Sequence, residues 1–430
     1  MSYINTFMWS IATVFLISSG LYYTYKLHFV QFNFKKILHS LKKDKENDEG
    51  ISPFKTLTLS LAARIGVGSL AGIALGIYKG GIGVMFWIWL STLITLPNSF
   101  VESTLAVIFR ERDGKYYIGG PAYYINKGLG FKKTSIVYAL VIFLCYVGGF
   151  LAIQSNTIAT SMKTYLDISP YITGIIVAFI SYIIISRGLK RIANFNSILV
   201  PIMGLLYMIV ALTIIVLHID MIPNIISSII SSAFNIKSFG WGVVSTLIIG
   251  VQRGIFSSEA GMGTGAVASG TSDTNNPSQQ GFIQMLGVYF TTFIICTSTA
   301  FIILTSSVDV NGFVNPNGIE ITLKALESHI GNFGMLVLIA SILSFAFSTI
   351  ISGYYYGESN LKYLTKNCVG KNIYILNIAV IIILFLGAIT SPSILWDLVD
   401  IGAATLAIIN AVCMILLHKE IKKEYERSEI

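Results

Sequence analysis

Apolar residues in this 430-residue chain fall into eleven long runs separated by short polar connections. The runs cover approximately residues 7–25, 56–78, 82–109, 135–158, 169–186, 197–217, 239–255, 281–304, 333–355, 373–390 and 394–417. A bilayer-crossing helix needs roughly 20 predominantly apolar residues, so the pattern predicts an all-α polytopic membrane protein of about eleven helices. Two runs are interrupted in the middle. The second carries Gly66, Gly68 and Gly72, and the seventh passes through Gly254 into the polar stretch from Ser257 to Gly265. They are five spans apart, an odd interval, so they cross the membrane in opposite directions. Two inverted five-helix repeats produce that arrangement, here residues 56–217 and 239–417. Residues 1–55 then form an extra N-terminal helix with a basic connection, and residues 418–430 form a tail.

Composition supports this reading. Of all residues 54% are hydrophobic and only 12% charged, with a mean hydropathy of +0.73. That is about half the charged share of a soluble domain, so a soluble enzyme, a disordered chain and a secreted disulfide scaffold are excluded. The formal charge of +8 could suggest nucleic acid, but its placement does not. Connections after spans one, three, five and nine, together with the tail, hold 23 Lys and Arg; those after spans two, four, six and eight hold 4. Basic residues concentrate in cytoplasmic loops. The expected location is therefore the cell membrane, with the N-terminus outside, the C-terminus in the cytoplasm and no nucleic-acid partner. The run from Phe7 to Leu21 lacks a basic leader and a small-residue cleavage site, so it reads as a retained span.

Unwound backbone at membrane depth survives only where it lines a cavity or is buried in protein. There, half-helix N–H groups can meet a carboxylate and free carbonyls can hold a cation. Charges at depth point to the same place, because they are costly in a bilayer and face a partner or a cavity. Arg64 precedes the first break, and Arg253 and Glu259 bracket the second. These read as gating or structural charges that fix the broken helices or, equally, as charges with a direct role in transport. Glu102 reads the same way, near Arg110 and Arg112, whereas Asp397 and Asp400 read as solvated at the outer end of span eleven. No histidine sits in mid-span, which argues against a His proton relay or metal site. Cys145, Cys296, Cys368 and Cys413 form no CxxC pair and read as buried small hydrophobes.

Four stretches carry a family resemblance: LAARIGVGSLAGIALGIYKGGIGVMFWIW (Leu61–Trp89), IGGPAYYINKGLG (Ile118–Gly130), RGIFSSEAGMGTGAVASG (Arg253–Gly270) and FAFSTIISGYYYGE (Phe345–Glu358). Together they resemble the alanine or glycine:cation symporter family, whose members have the LeuT-type fold of the amino acid–polyamine–organocation superfamily. The resemblance implies a secondary active transporter that imports a small neutral amino acid with Na⁺ as coupling ion and no cofactor. It implies that Gly66, Val67, Gly68 and Ser69 meet the substrate carboxylate, and that Phe256, Ser257 and Ser258 supply pocket wall and amine contacts. Ser348 and Thr349 would hold the cation together with backbone carbonyls near Ile65 and Gly66. The family's GTGN appears here as Gly66-Val67-Gly68-Ser69, and its FSNEAG as Phe256-Ser257-Ser258-Glu259-Ala260-Gly261. An acidic residue usual in span eight is Thr291, and a Trp usual in span nine is Gly353. The swaps imply a single cation at Ser348 and Thr349, and a pocket enlarged at Gly353.

Two alternatives stay open at this point. The same fold could take a larger amino acid such as glutamine, or couple to protons; or the chain could be a membrane amino-acid sensor that does not transport. Catalysis is not expected, because the only candidate constellation at depth is Ser257 and Ser258 beside Glu259, with no histidine near it. Oligomeric state has no signature in the lipid-facing helices. The span map has a direct test. Lys163 and Lys324 should react with an impermeant amine reagent in intact cells, and Lys362 should not. A tail after His418 that is accessible from outside would contradict the map.

Overall fold

The computed structural model describes residues 2–41, 51–186, 188–234, 241–314, 316–366 and 370–427. Every predicted span is helical, but the helices differ in length from the apolar runs. The N-terminal helix α1 is Ser2–Lys26, followed by the short α2 at Phe34–His39. The first broken span is α3 (Pro53–Arg64) and α4 (Ile73–Gly80), bent by 49°. Next come α5 (Val84–Ile108), α6 (Pro121–Leu129), α7 (Lys132–Phe143), α8 (Leu151–Leu166), α9 (Pro170–Ile185), α10 (Leu189–Leu217) and α11 (Ile222–Ala233). The second half holds α12 (Trp241–Ser258), α13 (Thr264–Ser269), α14 (Pro277–Tyr289), α15 (Thr297–Thr305), α16 (Ile319–Leu364), α17 (Gly370–Ile389), α18 (Pro392–Leu416) and α19 (His418–Arg427). Proline opens α3, α6, α9, α14 and α18, where its missing N–H would lack a helical partner anyway.

Among the described residues, eight helices are long and apolar enough to cross a bilayer, and the bent pair makes nine. The other two predicted spans are the 16-residue α9, which is apolar but short, and α12, which is 18 residues long and carries Gln252 and Arg253. Several connections are more ordered than expected. An antiparallel hairpin of Glu111–Asp113 and Tyr116–Ile118 interrupts the all-helical pattern, and α11 lies between the sixth and seventh spans. Predicted span nine is only part of α16, which runs 46 residues and kinks at Ile330 and Gly331. Cys145, Cys296 and Cys413 are free and buried, as their apolar settings suggested, while Cys368 lies outside the described residues.

Three segments are π-helical: Gly68–Gly72 leading into α4, Leu144–Phe150 joining α7 to α8, and Phe290–Cys296 joining α14 to α15. Each inserts an extra residue into the helical ladder, a feature frequent at functional sites. Around that centre the interior is unusually polar. Arg64, Glu102, Gln154, Arg253, Glu259 and Asp400 are all essentially inaccessible to solvent.

Candidate substrate and ion site

The first break is short. Helix α3 ends at Arg64, Ile65 leaves helical geometry, and the π-helical turn restarts at Gly68. The Val67 N–H donates to the Gln154 Oε1 on α8 at 3.3 Å, and the Ser69 hydroxyl returns to the Gly66 carbonyl at 3.1 Å. The second break lies later than the sequence suggested. Phe256, Ser257 and Ser258 still belong to the last turn of α12, and the chain unwinds from Glu259 to Gly263. Glu259 and Gly263 both adopt positive φ. The Ser257 hydroxyl bonds its own helix at the Gly254 carbonyl, and the Ser258 hydroxyl accepts the Ala260 N–H, so both serve the helix end.

The restart of the first broken helix meets the last turn of α12, just ahead of the second break. A Cβ at Gly68 would lie 2.8 Å from Cδ1 of Phe256, so only a glycine allows this approach. Phe256 then continues a column of rings. It stacks on Phe150 (4.9 Å between centroids, 17°), Phe150 stacks on Tyr146 (4.5 Å, 10°), and Trp396 of α18 covers the other side of Phe256 at 5.2 Å. Stacked and offset ring pairs each add roughly 0.5–1.5 kcal/mol beyond their burial.

A buried ion pair closes each end of the column. At one end, Arg64 Nε stands 4.0 Å from Glu259 Oε2, and Tyr146 donates its hydroxyl proton to the other Glu259 oxygen. Arg64 also donates to the Gln284 carbonyl at 3.2 Å. A Cβ at Gly265 would fall 2.3 Å from the Arg64 Nη2, so this glycine makes room for the guanidinium. At the other end Arg253 Nη2 meets Asp400 Oδ2 at 2.7 Å, with the guanidinium over the rings of Trp396 and Phe256. Asp400 is therefore not solvated: it lies inside the protein because Arg253 needs a counter-charge there. Glu102 has different partners from those expected. Its Oε2 accepts the Gly263 N–H at 2.8 Å and the Asn410 amide at 2.9 Å, tying the second break to α5 and α18. Arg110, by contrast, donates to the Ser272 and Thr274 carbonyls, and Arg112 lies over the Tyr117 ring.

The candidate cation residues separate. Thr349 reaches the first break, donating to the Ala62 carbonyl at 2.7 Å, and a Cβ at Gly66 would lie 2.3 Å from its oxygen. Ser348, one residue earlier, directs its hydroxyl to the Phe345 carbonyl at 2.8 Å and packs on the sulfur of Met203. Among the described residues no group of three or more His, Cys, Asp and Glu could hold a metal ion. A cation at Thr349 would therefore rest on hydroxyl and carbonyl oxygens, which suit a hard ion. The Thr291 hydroxyl is bonded to the Gly287 carbonyl of its own helix at 2.8 Å.

The chain belongs to the sodium:alanine symporter family. That family's model matches residues 1–429. The amino-acid carrier protein AlsT of Bacillus subtilis is 38% identical, with 98% of this chain and 90% of AlsT covered. The probable sodium/glutamine symporter GlnT of Bacillus subtilis is 36% identical, with 99% of this chain and 90% of GlnT covered. The fold resembles that of MhsT in its crystal structure with L-phenylalanine, at a TM-score of 0.63 and 13% identity over 86% of this chain and 89% of MhsT. The family membership and this fold establish a LeuT-type, multi-pass membrane transporter.

Gly353 departs from expectation. A Cβ there would lie 2.8 Å from Leu151 Cδ1 and 3.3 Å from Tyr146 Cδ1, so two side chains already crowd the point where a larger residue would begin. Gly353 thus faces Tyr146, a member of the ring column, and Leu151. Overpacking a filled interior costs about 1–3 kcal/mol or more. Gly353→Trp should therefore reduce the folded amount and depress uptake of every amino acid alike, whereas Gly353→Ala should cost much less, because only the flexible end of Leu151 has to give. Selective loss of a longer substrate in purified, folded Gly353→Trp would restore the pocket-wall role.

Proposed function

We propose that this chain couples inward movement of a small neutral amino acid, of the alanine and glycine class, to entry of Na⁺. The observation that carries the proposal is the packing of Gly68, where the first broken helix restarts, on Phe256 in the last turn of α12, with a buried ion pair at each end of the ring column. The substrate carboxylate is assigned to the first break at Gly66–Ser69, where the backbone N–H groups that open α4 favour an anion. Phe256 with the last turn of α12 at Ser257 and Ser258 forms the opposing wall. Na⁺ is assigned to the Thr349 hydroxyl and the carbonyls from Ala62 to Gly66, with Ser348 as the adjoining hydroxyl.

The assignment suggests how access alternates. With the N-terminus outside, Arg253–Asp400 lies on the outer side of the rings and Arg64–Glu259 on the inner side. Opening one pair while the other stays closed exposes the site to one face at a time. The first repeat is assigned to α3–α10 and the second to α12–α18. We read the chain as a transporter and not an enzyme, since it has a transporter's fold and family. A small substrate is favoured over the glutamine named for GlnT because Phe256, Phe150 and Tyr146 pack closely and Gly353 leaves no extra space.

Counterflow of labelled alanine, glycine and glutamine in proteoliposomes, with and without a Na⁺ gradient, tests the reading. Alanine or glycine should exchange fastest, and inward Na⁺ should accelerate accumulation. Transport that ignores Na⁺ and follows a pH gradient would overturn the coupling. Losing one ligand oxygen to a charged group costs about 1.5–3 kcal/mol. Thr349→Ala should thus raise the Na⁺ concentration for half-stimulation about tenfold or more, and Ser348→Ala should raise it less. Thr291→Ala should leave it nearly unchanged, since that hydroxyl is spent on its own helix.

A further inference from the structure

Helix α1 lies outside the two repeats, yet it reaches the Arg253–Asp400 pair. One stripe of α1, with residues three or four apart, faces inward: Asn5, Trp9, Ala12, Leu16, Ser19 and Tyr23. Trp9 is wholly buried and its indole N–H donates to the Asp400 carbonyl at 3.0 Å. One turn earlier, the Asn5 amide donates to Asp400 Oδ2 at 3.4 Å, the same oxygen that receives Arg253. Below Trp9, Ala12 and Leu16 complete a separate apolar cluster with Val251, Ile255 and Met262 around the second break, and with Ala403, Ala404 and Ala407 of α18. Leu16 sits directly on Gly261 within the unwound segment, 2.6 Å from where a Cβ would be.

Three elements therefore meet on Asp400: α1 through Trp9 and Asn5, the second broken helix through Arg253, and α18 itself. The Asp400 carboxylate has several rotamers and makes its direct ion pair with Arg253, while Lys79 adds a longer-range attraction. The indole fixes its backbone and the amide engages the oxygen that faces Arg253. We infer that α1 is a brace for this ion pair, with Trp9 and Asn5 as positioning residues that hold Asp400 against Arg253 and so favour closure of that end of the path. The inference rests on the proposed role of the pair in access. It goes beyond that role by assigning a function to a helix that the repeats do not require.

The test uses the full-length protein with Cys368→Ser and a reporter Ile249→Cys, one turn from Arg253 on α12. The rate at which an impermeant thiol reagent modifies the reporter reads opening at that end. Trp9→Phe keeps the ring and removes the donor; Asn5→Ala removes the amide. Each should raise the rate about threefold to tenfold, the equilibrium change expected for one net hydrogen bond. On an Asp400→Asn background, which should itself raise the rate, neither should add further. Tyr23→Phe removes the bond to the Met414 carbonyl elsewhere on α1 and serves as the structural control, so its rate should not change. The brace is overturned by unchanged rates in both Trp9→Phe and Asn5→Ala, by an equal rise in Tyr23→Phe, or by full additivity with Asp400→Asn. If the unmodified protein moves no alanine, the transport reading fails, while the labelling rates still decide the brace.

Discussion

The arginine at the end of the first half-helix must be neutralised inside the membrane, and much of the site follows from that. A buried guanidinium is expensive, and removing its partner costs about 3–5 kcal/mol because a bare charge remains. Arg64 finds Glu259 after α12 and the Gln284 carbonyl of α14, both in the second half of the chain. Glu259 begins the second break with a left-handed backbone, and Tyr146 holds its other oxygen. Satisfying one charge thus fixes the two unwound segments against each other and sets the ring column between them. The pair is held at 4.0 Å, looser than the 2.7 Å of Arg253–Asp400.

The two pairs differ in their settings as well as their lengths. Arg64 is enclosed by small residues and backbone, with Gly265 leaving space for it. Arg253 lies over two aromatic faces, where cation–π attraction adds to the ion pair and tolerates sliding. Between them, stacked rings fill the interior with shape and no charge. On the proposed roles of the two pairs, such a layout would separate the energetics of closing each end from the energetics of binding in the middle. A symporter depends on that separation, since a path open at both ends would dissipate the gradient.

Much of the scaffold was legible in the chain, for physical reasons. Hydrophobic length marks helices in a bilayer, and backbone breaks there need glycine and polar residues, so Gly66–Ser69 and the stretch after Gly254 stood out. Arg64, Arg253 and Glu259 stood out because charge at depth is rare. Asp400 was misjudged because its partner is 147 residues away and nothing local distinguishes a paired aspartate from a solvated one. Tyr146, Phe150 and Trp396 went unremarked because an aromatic residue in an apolar run has no separate signature. Gln154, a polar residue in mid-span, was a signal that could have been taken. The π-helical turns depend on tertiary contacts that periodicity cannot express. Gly353 shows another limit: that Leu151 and Tyr146 crowd the position where its side chain would begin is a tertiary fact the sequence does not carry.

The central claim is that Arg64 and Glu259 hold the two breaks together. A double-mutant cycle on that pair tests it most directly, with thermal stability of the purified protein and Na⁺-driven alanine counterflow measured in parallel. Arg64→Met alone and Glu259→Gln alone should each lower the folded fraction strongly, by leaving one buried charge unpaired. Combining Arg64→Met with Glu259→Gln should recover much of the folded protein while counterflow stays lost. Wild-type stability in either single variant, or a combined loss equal to the sum of the two, would contradict the account.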